Sequence, residues 1–201
     1  MSRFVLAILL AVSFAVSPIL AGKFNRKISV GDAAPVFKSL EATDGKKYSL
    51  EDFKDKDLVV LVITCNECPV AQSYEDRVMA LAKKYKDKVA VVAINVNAGE
   101  DEELPKMKAH AEKKGFNFVY LRDPDQQIGR SLGASKTPEF FVLNKERKIV
   151  YMGALDDELN PAKVSEKYLE NAIEAILKGE KPAKAETPSY GCGIEYRRAK
   201  K

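Results

Sequence analysis

The sequence predicts a three-layer α/β/α domain with helices packed on a central mixed sheet. Three observations carry this. Leu58-Val59-Val60-Leu61-Val62-Ile63 and Val89 to Ile94 are continuous apolar, β-branched runs, the pattern of strands buried on both faces. Amphipathic helical patterns alternate with these runs, which implies parallel pairing through right-handed crossovers. Phe140-Phe141-Val142-Leu143 and Lys148 to Met152 are joined across only Asn144–Arg147, so they add an antiparallel edge.

The elements follow in order along the 201 residues. Residues 22–36 read as an extended lead-in closed by Gly31-Asp32-Ala33-Ala34-Pro35. Phe37 to Leu50 carries Asp44-Gly45 between short alternating runs and reads as an N-terminal β-hairpin. After the first buried strand, Val70, Tyr74, Val78, Leu81, Ala82 and Tyr85 recur at helical spacing. A second helix is expected from about Glu103 to Lys114, stopped by Gly115. Phe116 to Leu121 reads as a strand, and a short helix follows from about Asp125 to Leu132. The last helix is expected to bury Val164, Tyr168, Leu169, Ala172, Ile173, Ile176 and Leu177. This assigns residues 22–179 to one domain and residues 180–201 to a polar, poorly packed or surface-draped tail that carries Cys192.

Composition narrows the function classes. The chain is 46% hydrophobic and 31% charged, in the range of soluble globular proteins. Its net charge of +4 is small and its Lys and Asp/Glu alternate, so no nucleic-acid surface is expected. Arg3, an uncharged run from Phe4 to Gly22 and Ile19-Leu20-Ala21 together read as a signal peptide over residues 1–21. Its removal takes only Arg3, leaving a charge of +3. The expected location is therefore periplasmic or secreted, with membrane attachment only if that segment stays uncleaved. All three cysteines lie beyond it. Two share one Cys-x-x-Cys and one is left over, an arithmetic of redox work rather than of a structural disulfide framework.

Cys65-Asn66-Glu67-Cys68 lies between a buried strand and a helix. Helix N-termini present unpaired N–H groups and a positive dipole end, which lower a thiol pKa and produce the attacking thiolate. Pro69 suits the first helical position, so Cys68 is expected to cap the helix. Cys65 is then the more exposed thiol and Cys68 the more shielded. Glu67 is the expected pKa-modulating carboxylate, opposing a nearby thiolate. Zinc asks for four ligands, and the single His, His110, lies on a predicted surface helix, so no metal or other cofactor is expected. Thr137-Pro138 stands at a strand start, where Pro is permitted.

Strand, Cys-x-x-Cys, helix and a distant Thr-Pro at a strand start resemble the thioredoxin fold. That resemblance implies a cis Pro138 beside Cys65 and Cys68, with Thr137 and Pro138 docking the substrate chain. The lead-in, the hairpin and Leu50-Glu51-Asp52-Phe53 are similar to the redoxin branch, which includes peroxiredoxins of the alkyl hydroperoxide reductase and thiol-specific antioxidant type. Thr64-Cys65-Asn66-Glu67-Cys68-Pro69-Val70-Ala71, Tyr151-x-Gly153-Ala154-Leu155-Asp156-Asp157 and Gly191-Cys192-x-Ile194 resemble an exported peroxiredoxin-like group, over about residues 30–196. In peroxiredoxins the peroxidatic position corresponds to Cys68. The Thr or Ser three residues before it, and the Pro four further back, are here Cys65 and Leu61.

The expected function is thus an exported thiol–disulfide oxidoreductase working through a Cys65–Cys68 dithiol, with Cys65 attacking and Cys68 resolving. Its expected partners are protein or small-molecule disulfides and thiols. One alternative is a thiol peroxidase using Cys68, with peroxides as substrates. Another is a soft-metal module holding its ion through Cys65, Cys68 and Cys192. Cys192 is a candidate third redox thiol, and its flanking glycines ease a close backbone approach.

Overall fold

A computed structural model describes residues 22–198. The expected leader over residues 1–21 lies outside the described residues. A small hairpin, β1 (Leu40–Glu41) and β2 (Lys47–Tyr48), comes first and turns at Asp44-Gly45. Then follow β3 (Leu58–Thr64), α1 (Pro69–Lys84), β4 (Val89–Asn95), α2 (Leu104–Lys114), β5 (Val119–Arg122) and α3 (Gln127–Leu132). The two-residue β6 (Lys136–Thr137) precedes β7 (Glu139–Leu143) and β8 (Ile149–Gly153), and α4 (Tyr168–Leu177) and a second two-residue strand, β9 (Cys192–Gly193), complete the order.

The central sheet has the order β5-β4-β3-β7-β8. β3, β4 and β5 are parallel, while β7 and β8 add antiparallel strands beyond β3. Alternation along β3 explains why this run is apolar throughout. Leu58, Val60 and Val62 face a layer formed with Tyr74 and Val78 of α1, Met107 of α2 and Leu169 and Ile173 of α4. Val59, Leu61 and Ile63 face the other layer, formed with Phe37, Leu50 and Ile128 and Leu132 of α3. Period-two side chains on a strand buried on both faces leave no position for a polar residue.

Two element starts, those of β5 and α4, differ from the sequence reading. The strand expected from Phe116 begins at Val119, because Phe116 and Phe118 stack on one another 4.6 Å apart instead of entering the ladder. The last helix begins at Tyr168, so Val164 lies outside it. A short 3-10 turn at Pro161–Lys163 precedes it, capped by the Asn160 side chain, and the Asp157 carboxylate then holds the Ser165 N–H at 3.0 Å. The tail, expected to be poorly packed or surface-draped, is tied to the body. Its Ala185 and Thr187 pair with Met152 of β8, and Thr187 is buried, with Oγ1 accepting the Ala154 N–H at 3.0 Å.

Candidate active site

β3 delivers the chain to Thr64, and Pro69 opens α1. Cys68 is the N-cap, with extended backbone (φ −73°, ψ 113°), and its sulfur accepts the Ala71 N–H at 3.3 Å. This is the cap expected from Pro69. It also places the Cys-x-x-Cys one turn before the helix: its second thiol holds the cap, and the next helical position on that face is Ala71.

The expected difference in exposure is absent, since Cys65 and Cys68 are each 3% exposed. Both meet the fully buried Thr137. Cys65 Sγ lies 3.3 Å from Thr137 Oγ1, and Cys68 Sγ lies 3.0 Å from the Thr137 carbonyl oxygen. The Thr137-Pro138 peptide is cis, as the resemblance implied.

The two thiols nonetheless differ in acidity. Burial pushes Cys65 up to about 12, with the Glu102 charge adding to it and the Thr137 hydroxyl opposing. Burial also acts against a Cys68 thiolate, but hydrogen bonds with the Cys192 thiol, the Ala71 N–H, the Thr137 side chain and the Cys192 backbone outweigh it and bring Cys68 below the ordinary thiol value. Cys192 moves up, through its hydrogen bond with the Cys68 thiol and partial desolvation.

The carboxylate that serves the turn is Glu102, not the expected Glu67, which is exposed. Glu102 is 1% exposed. Its Oε2 accepts the Asn66 N–H at 2.7 Å and Asn95 Nδ2–H at 2.6 Å, while Oε1 accepts the Glu67 N–H at 3.2 Å. Asn66 donates in turn to the Asp101 carbonyl at 2.7 Å and accepts from the Tyr120 hydroxyl at 2.8 Å. A buried carboxylate satisfied by three donors fixes the conformation of the turn between the two cysteines. Sequence reasoning missed Glu102, Asn95 and Tyr120. They come from the β4 end, the 3-10 turn at Glu100–Glu102 and β5, and their one signal was an acidic run following a buried strand.

The tail completes the site. β9 pairs antiparallel with β6, setting Cys192 opposite Thr137 and Gly193 opposite Lys136. Cys192 Sγ lies 2.6 Å from Cys68 Sγ, within closing reach of a disulfide bond of about 2.05 Å. Gly191 permits this approach, because a Cβ there would lie 2.0 Å from the Thr137 carbonyl oxygen. Beyond the strand, Ile194 N–H bonds Ser135 O at 3.1 Å, Tyr196 OH bonds Ala134 O at 2.8 Å, and buried Gln126 holds Glu195 O at 3.0 Å and the Arg197 N–H at 2.7 Å. The structure therefore gathers Cys65, Cys68, Cys192, Thr137 and Pro138, and leaves Glu67 outside. Among the described residues no group of three or more His, Cys, Asp or Glu side chains could hold a metal ion.

The family model described as Redoxin matches residues 29–173. The chain belongs to the Redoxin family. With that family and its thioredoxin-like sheet, it is a thioredoxin-like oxidoreductase. It is 32% identical over 138 residues to the thiol-disulfide oxidoreductase ResA of Bacillus subtilis (strain 168), covering 66% of this chain and 70% of ResA. It is 30% identical over 130 residues to the thioredoxin-like protein YneN of the same organism, covering 64% of this chain and 74% of YneN. Among solved structures, a hypothetical protein of Sinorhizobium meliloti 1021 superposes with a TM-score of 0.80 at 31% identity, over 87% of this chain and 98% of that one. The match to the family ends at residue 173, so the tail strand with Cys192 lies beyond it.

Proposed function

We propose that the chain is an exported thiol–disulfide oxidoreductase in which Cys68 is the attacking thiolate and Cys65 the protonated thiol beside it. The observation that carries this is the capping geometry: the Cys68 sulfur takes the Ala71 N–H at the start of α1 and is more acidic than an ordinary thiol. The roles expected from the sequence thereby exchange, because Cys65 keeps its proton at neutral pH. Thr137-Pro138 supplies the edge against which a partner chain pairs, as its pairing with the tail illustrates. Protein and small-molecule disulfides or thiols are the substrates on this reading, and ResA, named as a thiol–disulfide oxidoreductase, supports it. Export rests on the leader pattern over residues 1–21.

Disulfide exchange is favoured over peroxide reduction. Arg77 is bound to Asp156 at 2.5 Å and Arg122 to Glu103 at 2.5 Å, so neither of these arginines is directed at Cys68. The test is insulin reduction with a dithiol as electron source. The wild-type chain accelerates it and Cys68→Ser returns it to background. No acceleration by the wild type, or full activity in Cys68→Ser, overturns the reading.

A further inference from the structure

We propose that Cys192 is the resolving thiol for Cys68, carried by a C-terminal strap that occupies the substrate-docking edge of β6 in cis and expels the substrate when it returns. The inference rests on the reading of Cys68 as the attacking thiolate and deepens it. The proximity of the two sulfurs, 2.6 Å, is one observation. The second is independent of any sulfur: β9 forms a strand pair with Lys136–Thr137, the backbone immediately before cis Pro138. A partner chain docking there needs the same Thr137 N–H and C=O groups, so strap and partner exclude one another. The third is Gly191, whose missing Cβ lets the strap approach the Thr137 carbonyl. The fourth is that the strap is anchored on both sides of Cys192, by Thr187 on Ala154 and by Glu195 and Arg197 on Gln126. The strand can leave the edge while the thiol stays tethered at high effective concentration.

The exchange balances as follows. With the strap displaced, the Cys68 thiolate attacks one sulfur of a substrate disulfide. The substrate S–S bond breaks, a Cys68–substrate disulfide forms, and the other substrate sulfur leaves as a thiolate that takes up a proton. The Cys192 thiol then loses its proton and attacks the Cys68 sulfur. The mixed disulfide breaks, a Cys68–Cys192 disulfide forms, and the second substrate sulfur leaves as a thiolate and is protonated. Two substrate thiols are made for two protein thiols consumed. An external dithiol restores the reduced strap. Cys65, buried and protonated, is the neighbour of this couple and not its second member.

The full reduced chain, exposed to glutathione disulfide at pH 7, quenched with an alkylating agent and mapped by peptide mass spectrometry, tests this. Wild type and Cys65→Ser are expected to yield a Cys68–Cys192 linkage with little glutathione retained. Cys192→Ser is expected to hold at least about tenfold more glutathione on Cys68, since it lacks the tethered thiol. Gly191→Val, which keeps all three cysteines but unseats β9, is expected to slow the linkage and speed alkylation of Cys68. A Cys65–Cys68 linkage as the wild-type product, or glutathione retained by Cys65→Ser and cleared by Cys192→Ser, overturns the proposal while leaving disulfide exchange intact. If Cys192→Ser does not fold, the linkage map of the wild type decides alone. Failure of Cys68 to take glutathione in any form overturns the oxidoreductase reading itself.

Discussion

Cys65 and Cys68 stand three residues apart, are equally buried and touch the same threonine, yet the one is pushed up to about 12 and the other is drawn below the ordinary thiol value. Burial is common to both and pushes both thiols up. The difference is made by donors. Cys68 sits where α1 presents the Ala71 N–H and where β9 brings the Cys192 thiol and N–H, whereas Cys65 sits in the turn facing the Glu102 charge. In a closed site, acidity follows the direction of the surrounding N–H and O–H groups more than the depth of the sulfur.

The largest test of that contrast removes the acidic thiol. Cys68→Ser is expected to lower disulfide-exchange activity at least about 10³-fold, as loss of a nucleophile does, measured by insulin reduction. Cys65→Ser is expected to spare most of that activity and to act on stability instead. A thiol whose folded pKa is raised favours the fold while neutral. Its contribution is complete below pH 9.0, the ordinary thiol value, and is lost as pH climbs toward about 12. The stability advantage of wild type over Cys65→Ser therefore narrows across that window, at up to about 1.4 kcal/mol per pH unit, measured by urea unfolding at stepped pH.

Two smaller perturbations sharpen the comparison from outside the pair. Glu102→Gln keeps one oxygen for the Asn66 and Asn95 donors but sets an NH₂ against the Glu67 N–H. It is expected to destabilise the chain by about 2 kcal/mol, read as a lowered thermal midpoint. Thr137→Val keeps the shape of the residue but removes the hydroxyl that favours the Cys68 thiolate. Iodoacetamide should then label Cys68 about fivefold more slowly at pH 7, the weight of a hydrogen bond of about 1 kcal/mol. An unchanged labelling rate would mean that the Ala71 and Cys192 donors suffice by themselves.

The half of the site that is local was legible in the sequence, and the half that is assembled from a distance was not. β3, α1 and the Cys68 cap follow from an apolar run and a proline, features confined to Leu58–Pro69. The thioredoxin-like layers follow from the alternation of strands and helices, and Thr137-Pro138 from its place at a strand start. Glu102 was hidden because an acidic Glu100–Glu102 turn reads as solvated surface, and only the fold turns its last side chain inward. The strap was hidden because its hold on the body is backbone pairing and hydrogen bonds from Gln126, Thr187 and Tyr196, which leave no apolar periodicity. Gly191 gave the one hint, and its reason is a carbonyl more than fifty residues away along the chain.

The course of the tail along β8 has a consequence for solubility. β8 is an edge of the central sheet, and its backbone is paired outward by Asp32 at Ile149 and by Ala185 and Thr187 at Met152. An uncovered edge is a template on which other chains can add strands. A protein ended at Gly179, two residues past α4, would keep α1 to α4 and the central sheet but lay bare Met152, and with it the edge of β6. Such a truncation is expected to self-associate, so the residues that look dispensable by composition are the ones that keep the sheet from growing.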